Sequence, residues 1–136
     1  MVAKLLKGCR ILIIEDDFYQ AQDTRESLQQ AGVEIVACRA TIPDLDEILK
    51  RSKIDIALLD INLGDTRSFD FARSLDAKGI PCVFLTGYDV TVVPDDLNYA
   101  KFISKPAEAS AVITALHQVH SEAPKASGGG GQQVKS

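Results

Sequence analysis

The sequence predicts an α/β fold, in which helices cover both faces of a doubly wound, parallel sheet of five strands. Two observations support this prediction. Five predicted strands alternate with five segments of helical pattern, and short turns join them. The central stretch, residues 54–62, contains a continuous apolar run that ends on Asp60, which is typical of a strand covered by helices on both sides.

The first half of the chain predicts two strand and helix pairs. Residues 11–14 are β-branched or apolar throughout, and Asp17 can cap a helix that stops at Gly32. Residues 33–38 alternate partly, as an edge strand does, and a weaker helix follows from residues 41–44 through Lys50. The expected apolar face of the first helix consists of Phe18, Ala21, Leu28 and Ala31.

The second half predicts three more strands. After Asp60 a loop runs to Ser68, and a helix follows with the apolar positions Phe69, Phe71, Ala72 and Leu75. Residues 82–86 and 101–104 are the fourth and fifth strands. Between them, residues 88–100 contain Pro94 and little periodicity, so the fourth helix is expected to be short or irregular. The last helix, ending near His120, has the apolar positions Ala109, Val112, Ile113, Leu116 and Val119.

These elements predict the flavodoxin-like strand order 2-1-3-4-5, in which ligands bind at the carboxyl ends of the strands. A chain of 136 residues allows one substantial core, and we assign residues 1–120 to this domain. Residues 121–136 are rich in glycine and serine and are typical of a flexible tail.

Charge and cysteine content narrow the class of function. The net charge of -4 and the absence of a basic block argue against binding to nucleic acid or to a membrane surface. Cys9, Cys38 and Cys82 are widely spaced in apolar runs, which favours reduced, buried thiols in a cytoplasmic protein over a disulfide or zinc framework. For His117 and His120, near the end of the last helix, a surface role is expected rather than metal binding.

Five side chains are expected at one edge of the sheet, because each follows or ends a parallel strand. They are Glu15, Asp16, Asp60, Thr86 and Lys105. Clustered carboxylates repel one another unless a cation lies among them, and Mg2+ prefers such oxygen ligands, with Mn2+ as an alternative. The backbone carbonyl of Asn62 would complete the ligand set. An aspartate beside such an ion is a competent nucleophile toward a phosphoryl group.

In this arrangement, Lys105 can pair with the carboxylate or its phosphoryl group, and the Thr86 hydroxyl can donate to a phosphoryl oxygen. Each residue alone has an ordinary structural explanation, such as a helix cap for the acidic cluster or a solvated lysine at a turn. Because four separate strand ends each supply a residue type that this chemistry needs, the combination favours metal-assisted formation of an acyl phosphate.

The sequence resembles the receiver domains of two-component response regulators over nearly all of residues 8–120. The resemblance lies in the motifs at residues 11–17, 58–62, 84–88 and 104–106. It implies that Asp60 is the phosphoacceptor, that Asp16 binds Mg2+ directly, that Glu15 binds it through water, and that the Asn62 carbonyl is a further ligand. It also implies a cis peptide bond before Pro106.

The resemblance further implies a switch, in which Thr86 moves toward the phosphoryl group and an aromatic residue on the last strand follows. Phe102 occupies that position. Ser68 stands where many receivers have glycine. This feature, the irregular residues 88–100 and the motif at residues 84–88 together resemble a stand-alone receiver subgroup common in alphaproteobacteria. The resemblance implies a self-catalysed phosphotransfer with slow autodephosphorylation rather than conventional enzymatic turnover.

The implied partners are a sensor histidine kinase or phosphotransfer protein as donor and a downstream protein as target. Whether phosphorylation drives formation of a homodimer is left open. One alternative is a receiver that is not phosphorylated and acts as a scaffold. A second is a Mg2+-dependent phosphatase with an aspartate nucleophile, whose motif order differs from the order here. A flavin carrier is disfavoured because Glu15, Asp16 and Asp17 would repel a phosphate after the first strand.

Overall fold

The computed structural model describes residues 6–64, 66–87, 93–97 and 100–122. Within these ranges the chain forms a five-stranded parallel sheet and a separate two-stranded hairpin. The elements in chain order are β1 (Arg10–Ile14), α1 (Phe18–Gln30), β2 (Glu34–Arg39), α2 (Leu45–Arg51), β3 (Ile56–Asp60), β4 (Asn62–Leu63), β5 (Thr66–Arg67), α3 (Phe69–Ala77), β6 (Cys82–Thr86), β7 (Lys101–Ser104) and α4 (Ala109–Glu122).

The order of the large sheet is β2-β1-β3-β6-β7, and each neighbouring pair is parallel. Because β4 and β5 belong to the hairpin, β6 and β7 are the fourth and fifth strands of the large sheet. The observed order therefore confirms the predicted order 2-1-3-4-5, with the switch point between the neighbouring strands β1 and β3. All five residues of β3 are buried, as are all five residues of β6. The edge strand β2 is only partly buried, in agreement with its partial alternation.

Alternate residues of the strands enter two different cores. In β1, Leu12 and Ile14 pack on the face covered by α2 and α3, whereas Ile11 and Ile13 pack on the face covered by α1 and α4. This alternation follows from the period of two along a strand, and it explains why a strand buried on both faces is continuously apolar. Each core is therefore one helical layer against one face of the sheet.

The predicted helix boundaries agree with the structure in several places. The Asp17 carboxylate accepts a hydrogen bond from the backbone N–H of Gln20 at the start of α1. Asp44 caps α2 in the same way. Gly32 has a φ of 89°, which permits the left-handed turn after α1. The helix α4 continues to Glu122, two residues beyond the expected end at His120.

Three details differ from the sequence-based expectations. The loop expected between Asp60 and Ser68 contains the hairpin of β4 and β5. Phe18 was expected on the buried face of α1, but it is 70% exposed, because it lies in the first turn above the edge of the core. Cys38 is half-buried on the edge strand, whereas Cys9 and Cys82 are buried; all three are free thiols.

The fourth helix is short, as predicted. In the described part of residues 88–100 the helical structure is a single 3-10 turn, Asp95–Leu97, whose Leu97 is buried beside β7. Tyr88 and its immediate successors lie outside the described residues, as does most of the expected tail. In the described part of the chain, no helix has the length and apolar character that crossing a membrane requires.

Candidate functional site

The sheet topology brings the predicted side chains to one edge. β1 is followed by Glu15 and Asp16, β3 ends on Asp60, β6 ends on Thr86, and β7 leads into Lys105. All four strands run in the same direction, so their carboxyl ends meet at the same edge. The chain thus concentrates three acids, one hydroxyl and one amine at the position where open α/β sheets bind ligands.

The three acids form one cluster. Side-chain oxygens of Glu15, Asp16 and Asp60 all lie within 4.8 Å of one another. Glu15 is 3% exposed and Asp60 is 5% exposed, whereas Asp16 is exposed to solvent. Asp17 is not part of the cluster, since its carboxylate caps α1. The geometry therefore separates the capping acid from the three acids that can share a ligand.

Lys105 lies between the two buried acids. Its Nζ is 2.8 Å from Oδ2 of Asp60 and 2.9 Å from Oε1 of Glu15. Its backbone N–H donates to the carbonyl oxygen of Thr86 at 2.8 Å, which joins the end of β6 to the residue after β7. The peptide bond between Lys105 and Pro106 is cis, as the resemblance implied.

The backbone around Asp60 is held by two further groups. The N–H of Asn62 donates to Oδ1 of Asp60 at 3.3 Å. The Ser68 hydroxyl, which is fully buried, donates to the backbone carbonyl oxygen of Asp60 at 2.8 Å, and the Ser68 N–H donates to Ile61. Ser68 precedes α3 without capping it by its side chain. Sequence reasoning noted this serine only as a departure from glycine and missed its contact with Asp60.

The hairpin between Asp60 and Ser68 contributes a contact that the sequence did not indicate. The N–H of Gly64, in the turn between β4 and β5, donates to Oδ2 of Asp16 at 3.1 Å. Gly64 has a φ of 62°, a conformation that suits glycine in a tight turn. The hairpin thereby places a backbone donor on the exposed member of the acidic cluster.

Burial and neighbouring charges together shift the pKa values of Glu15 and Lys105. Burial is the largest cause that raises the pKa of Glu15 to about 7; Asp60 raises it further, and the hydrogen bonds from Lys105 and the Asp17 N–H oppose the shift. Burial lowers the pKa of Lys105, but the carboxylates of Asp60 and Glu15 outweigh it and the net shift is upward. Lys105 is therefore positively charged among the acids.

The residues fit a hard divalent cation. Oε1 of Glu15 is buried and, apart from its ion pair with Lys105, accepts no aligned hydrogen bond from the described residues. One ammonium group faces three carboxylates, so a cation among their oxygens would relieve the repulsion between these carboxylates. Carboxylate oxygens at this spacing are the ligands that Mg2+ uses together with water and phosphate oxygens.

The two predicted switch residues lie on neighbouring strands beside Asp60. Thr86 is 1% exposed and follows Leu85, which is the register partner of Asp60 in the pairing of β3 with β6. Phe102 is half-buried on β7, and its ring stacks on Phe84 with a centroid distance of 5.2 Å and an interplanar angle of 13°. Phe102 therefore belongs to the core facing α3 and the 3-10 turn.

Comparison with known proteins identifies a family. The family model of the response regulator receiver domain matches residues 11–117. The sensory transduction protein LytR of Streptococcus agalactiae is 31% identical over 116 residues, which cover 81% of this chain and 47% of LytR. The chain spans about half the length of the curated relatives that it matches.

Solved structures agree with this match. The non-phosphorylated HemR receiver domain of Leptospira biflexa is 28% identical, with a TM-score of 0.71 and coverage of 87% of this chain and 98% of that chain. The PhyR receiver domain of Erythrobacter litoralis is 22% identical, with a TM-score of 0.76 and coverage of 94% of this chain and 98% of that chain. At this identity the similarity concerns the fold alone. With the matched family model and the clustered acids, these findings show that the chain belongs to the response regulator receiver domain family.

Proposed function

We propose that this receiver domain accepts a phosphoryl group on Asp60 from a histidine kinase or a histidine phosphotransfer protein. The observation that carries the proposal is the setting of the Asp60 carboxylate. It is 5% exposed, lies 2.8 Å from the Lys105 ammonium group, and shares a cluster with Glu15 and Asp16. A carboxylate placed in this way is both shielded and charge-compensated, which suits a nucleophile in phosphoryl transfer.

In the proposed reaction a carboxylate oxygen of Asp60 attacks the phosphorus atom of a phosphohistidine. The new bond joins this oxygen to phosphorus, the bond between phosphorus and the imidazole nitrogen breaks, and the imidazole keeps the electron pair. The product is an acyl phosphate on Asp60. Lys105 balances negative charge on the transferring group, and the Thr86 hydroxyl donates to one of its oxygens.

We further propose that Glu15, Asp16, Asp60 and the backbone carbonyl of Asn62 hold Mg2+ in the active protein. When bound, the ion neutralises charge on the phosphoryl oxygens. The protein contributes to this site by keeping the acids close before the ion arrives. Gly64 orients Asp16, while Lys105 keeps the two buried acids in place. Replacement of Mg2+ by Mn2+ is expected to retain activity because both ions prefer oxygen ligands.

The signal is proposed to leave through a protein-binding face made by the 3-10 turn, β7 and α4. Thr86 ends β6, and its carbonyl oxygen is bonded to the Lys105 N–H. A movement of Thr86 toward a phosphoryl group would therefore act on the chain that enters α4. Phe102 has no hydroxyl, so it would report this movement through its packing on Phe84.

Intact-mass measurement after incubation with a small acyl phosphate tests the proposal. We expect a gain of one phosphoryl group with Mg2+, no gain without it, and no gain in Asp60→Asn. Asp17→Asn is the matched control, because Asn is an equally good helix cap and Asp17 stands outside the cluster. This control should be phosphorylated at the wild-type rate.

Two extensions of this experiment, with other phosphoryl donors, distinguish the proposal from the alternative functions. An absence of phosphorylation with both the acyl phosphate and phosphorylated histidine donors would contradict the proposal and favour a scaffold. Continued release of phosphate from simple phosphomonoesters, without accumulation of the phosphorylated protein, would favour a phosphatase.

A further inference from the structure

A second cluster of metal-binding side chains lies at the opposite end of the sheet. Cys9 immediately precedes β1, Asp55 immediately precedes β3, and His120 lies in the last turns of α4. The Cys9 sulfur, a carboxylate oxygen of Asp55 and a ring nitrogen of His120 all lie within 4.8 Å of one another. β1 and β3 are parallel neighbours, so this cluster lies at their amino ends, away from Asp60 at the carboxyl end of β3.

We propose that Cys9, Asp55 and His120 form a binding site for a divalent transition metal ion with the preferences of Zn2+. Sulfur, imidazole nitrogen and carboxylate oxygen are the three donors found in zinc sites. Bonds of about 2.0 to 2.3 Å place two ligands of one ion about 3 to 4 Å apart, so the cluster needs only a small closure. A fourth position would be filled by water.

The surroundings of Asp55 support a ligand role. Its Oδ2 accepts a hydrogen bond from the backbone N–H of Arg10 at 2.8 Å, which fixes the orientation of the carboxylate. Among the described residues, no hydrogen bond is made to its Oδ1. Metal ligands are commonly oriented by a hydrogen bond of this kind on the atom that does not bind the metal.

Cys9 is positioned to act as a metal ligand. It is 4% exposed, and its sulfur lies within 4.8 Å of a carboxylate oxygen of Asp55 and a ring nitrogen of His120. Coordination would replace the thiol hydrogen by the metal and release one proton to solvent. His120 is exposed, which leaves a route for the ion from solvent.

The two clusters of the protein differ in their ligand chemistry. Glu15, Asp16 and Asp60 offer oxygen alone, which suits Mg2+, whereas the second cluster includes sulfur and nitrogen, which favour Zn2+. This proposed role differs from the surface role that the sequence predicts for His120, which is exposed. A bound ion would connect β1, β3 and α4 at the end of the sheet that does not take part in phosphorylation.

Binding of Co2+ and Zn2+ in saturating Mg2+ tests the proposal, because Mg2+ occupies the oxygen cluster. We expect one equivalent of Co2+ to produce a thiolate-to-cobalt charge-transfer band that is absent in Cys9→Ala and present in Cys38→Ala. Zn2+, titrated against a chromophoric chelator, should bind at least about tenfold more weakly to His120→Gln. His117→Gln is the histidine control and should bind like the wild type.

His120→Gln changes an exposed side chain, so its fold is expected to be unaffected and the test does not depend on the buried Cys9. Three results would overturn the proposal: no band with Co2+, a band that persists in Cys9→Ala, or equal Zn2+ affinity of the wild type and His120→Gln. At the same Zn2+ concentration, the rise in Tm should be larger for the wild type than for His120→Gln.

Discussion

Two ion pairs with the same separation differ in nearly everything else. Lys105 and Asp60 are 2.8 Å apart at the carboxyl edge of the sheet, and Arg73 on α3 and Asp96 in the 3-10 turn are also 2.8 Å apart. The side chain of Asp60 is 7% exposed, whereas that of Asp96 is 57% exposed. The two pairs therefore have the same N–O distance but differ in burial, in the type of cation, and in the second carboxylate, that of Glu15, beside Lys105.

Burial determines what each pair does. In water the attraction between two charges is largely offset by hydration and by the entropy of the side chains, so the Arg73 pair mainly orients the 3-10 turn against α3. Around Asp60 the hydration is removed, and each charge depends on its neighbours. The raised pKa of Glu15 agrees with this loss of hydration, because burial is its largest cause. Phosphoryl transfer is therefore expected at the buried pair of Lys105 and Asp60 rather than at the exposed pair.

The largest effect is expected from removal of the buried cation, the ammonium group of Lys105. Lys105→Gln leaves Asp60 and Glu15 close together without their ammonium group, and we expect phosphorylation to slow by roughly 100-fold, as for loss of a charge-stabilising donor. The free energy of unfolding at pH 8 without Mg2+ should fall by about 3 kcal/mol.

Acyl phosphate kinetics and chemical denaturation measure these two effects. Lys101→Gln is the control, because Lys101 is an exposed lysine at the start of β7, the strand that leads into Lys105. Equal rates for the wild type and Lys105→Gln would contradict the role of Lys105 in charge compensation.

A smaller effect is expected from the hydroxyl that holds the Asp60 backbone. Ser68→Ala removes the fully buried donor to the Asp60 carbonyl oxygen, and the free energy of unfolding should fall by about 1 to 3 kcal/mol. Ser74→Ala is the matched control, since its hydroxyl also donates to a backbone carbonyl oxygen, that of Asp70, but on the surface. Denaturant titration should show little change for this control; a similar loss in both variants would refute the effect of burial.

The smallest effect is expected from the exposed pair, and it should depend on pH. The hydrogen bond from Arg73 lowers the pKa of Asp96 below its ordinary value of 3.8. A lowered pKa in the folded state means that the stabilisation is present above pH 3.8 and is lost as the pH falls through the folded pKa. The Tm of Arg73→Gln should therefore lie slightly below that of the wild type near neutral pH and converge with it in acid. A difference in Tm that does not shrink as the pH falls below 3.8 would contradict this assignment.

The sequence predicted the parts of the site that depend on strand ends. Continuous apolar runs marked β1, β3 and β6, and the short segment at residues 101–104 marked β7; the polar residue at each end then followed from the parallel topology. The polar residues at the ends of these four strands could therefore be predicted from the sequence pattern alone, without knowledge of side-chain positions.

Other parts required tertiary information. Strands β4 and β5 have two residues each, too few for a period of two to be recognised. The contact of Ser68 with Asp60 depends on how this hairpin folds back, and the pair of Arg73 with Asp96 joins residues 23 positions apart. Phe18 had the correct helical spacing for burial, but spacing alone does not reveal that a helix begins beyond the edge of its core.

The most direct test of the central claim, that buried Asp60 accepts the phosphoryl group, is chemical mapping of the modified residue. Borohydride reduction converts an aspartyl phosphate to homoserine, and peptide mass spectrometry then locates the change. After incubation with an acyl phosphate and Mg2+, we predict conversion at Asp60 and at no other acid, including Glu15 and Asp16. Conversion at a different residue, or none with a phosphorylated histidine donor as well, would contradict the claim.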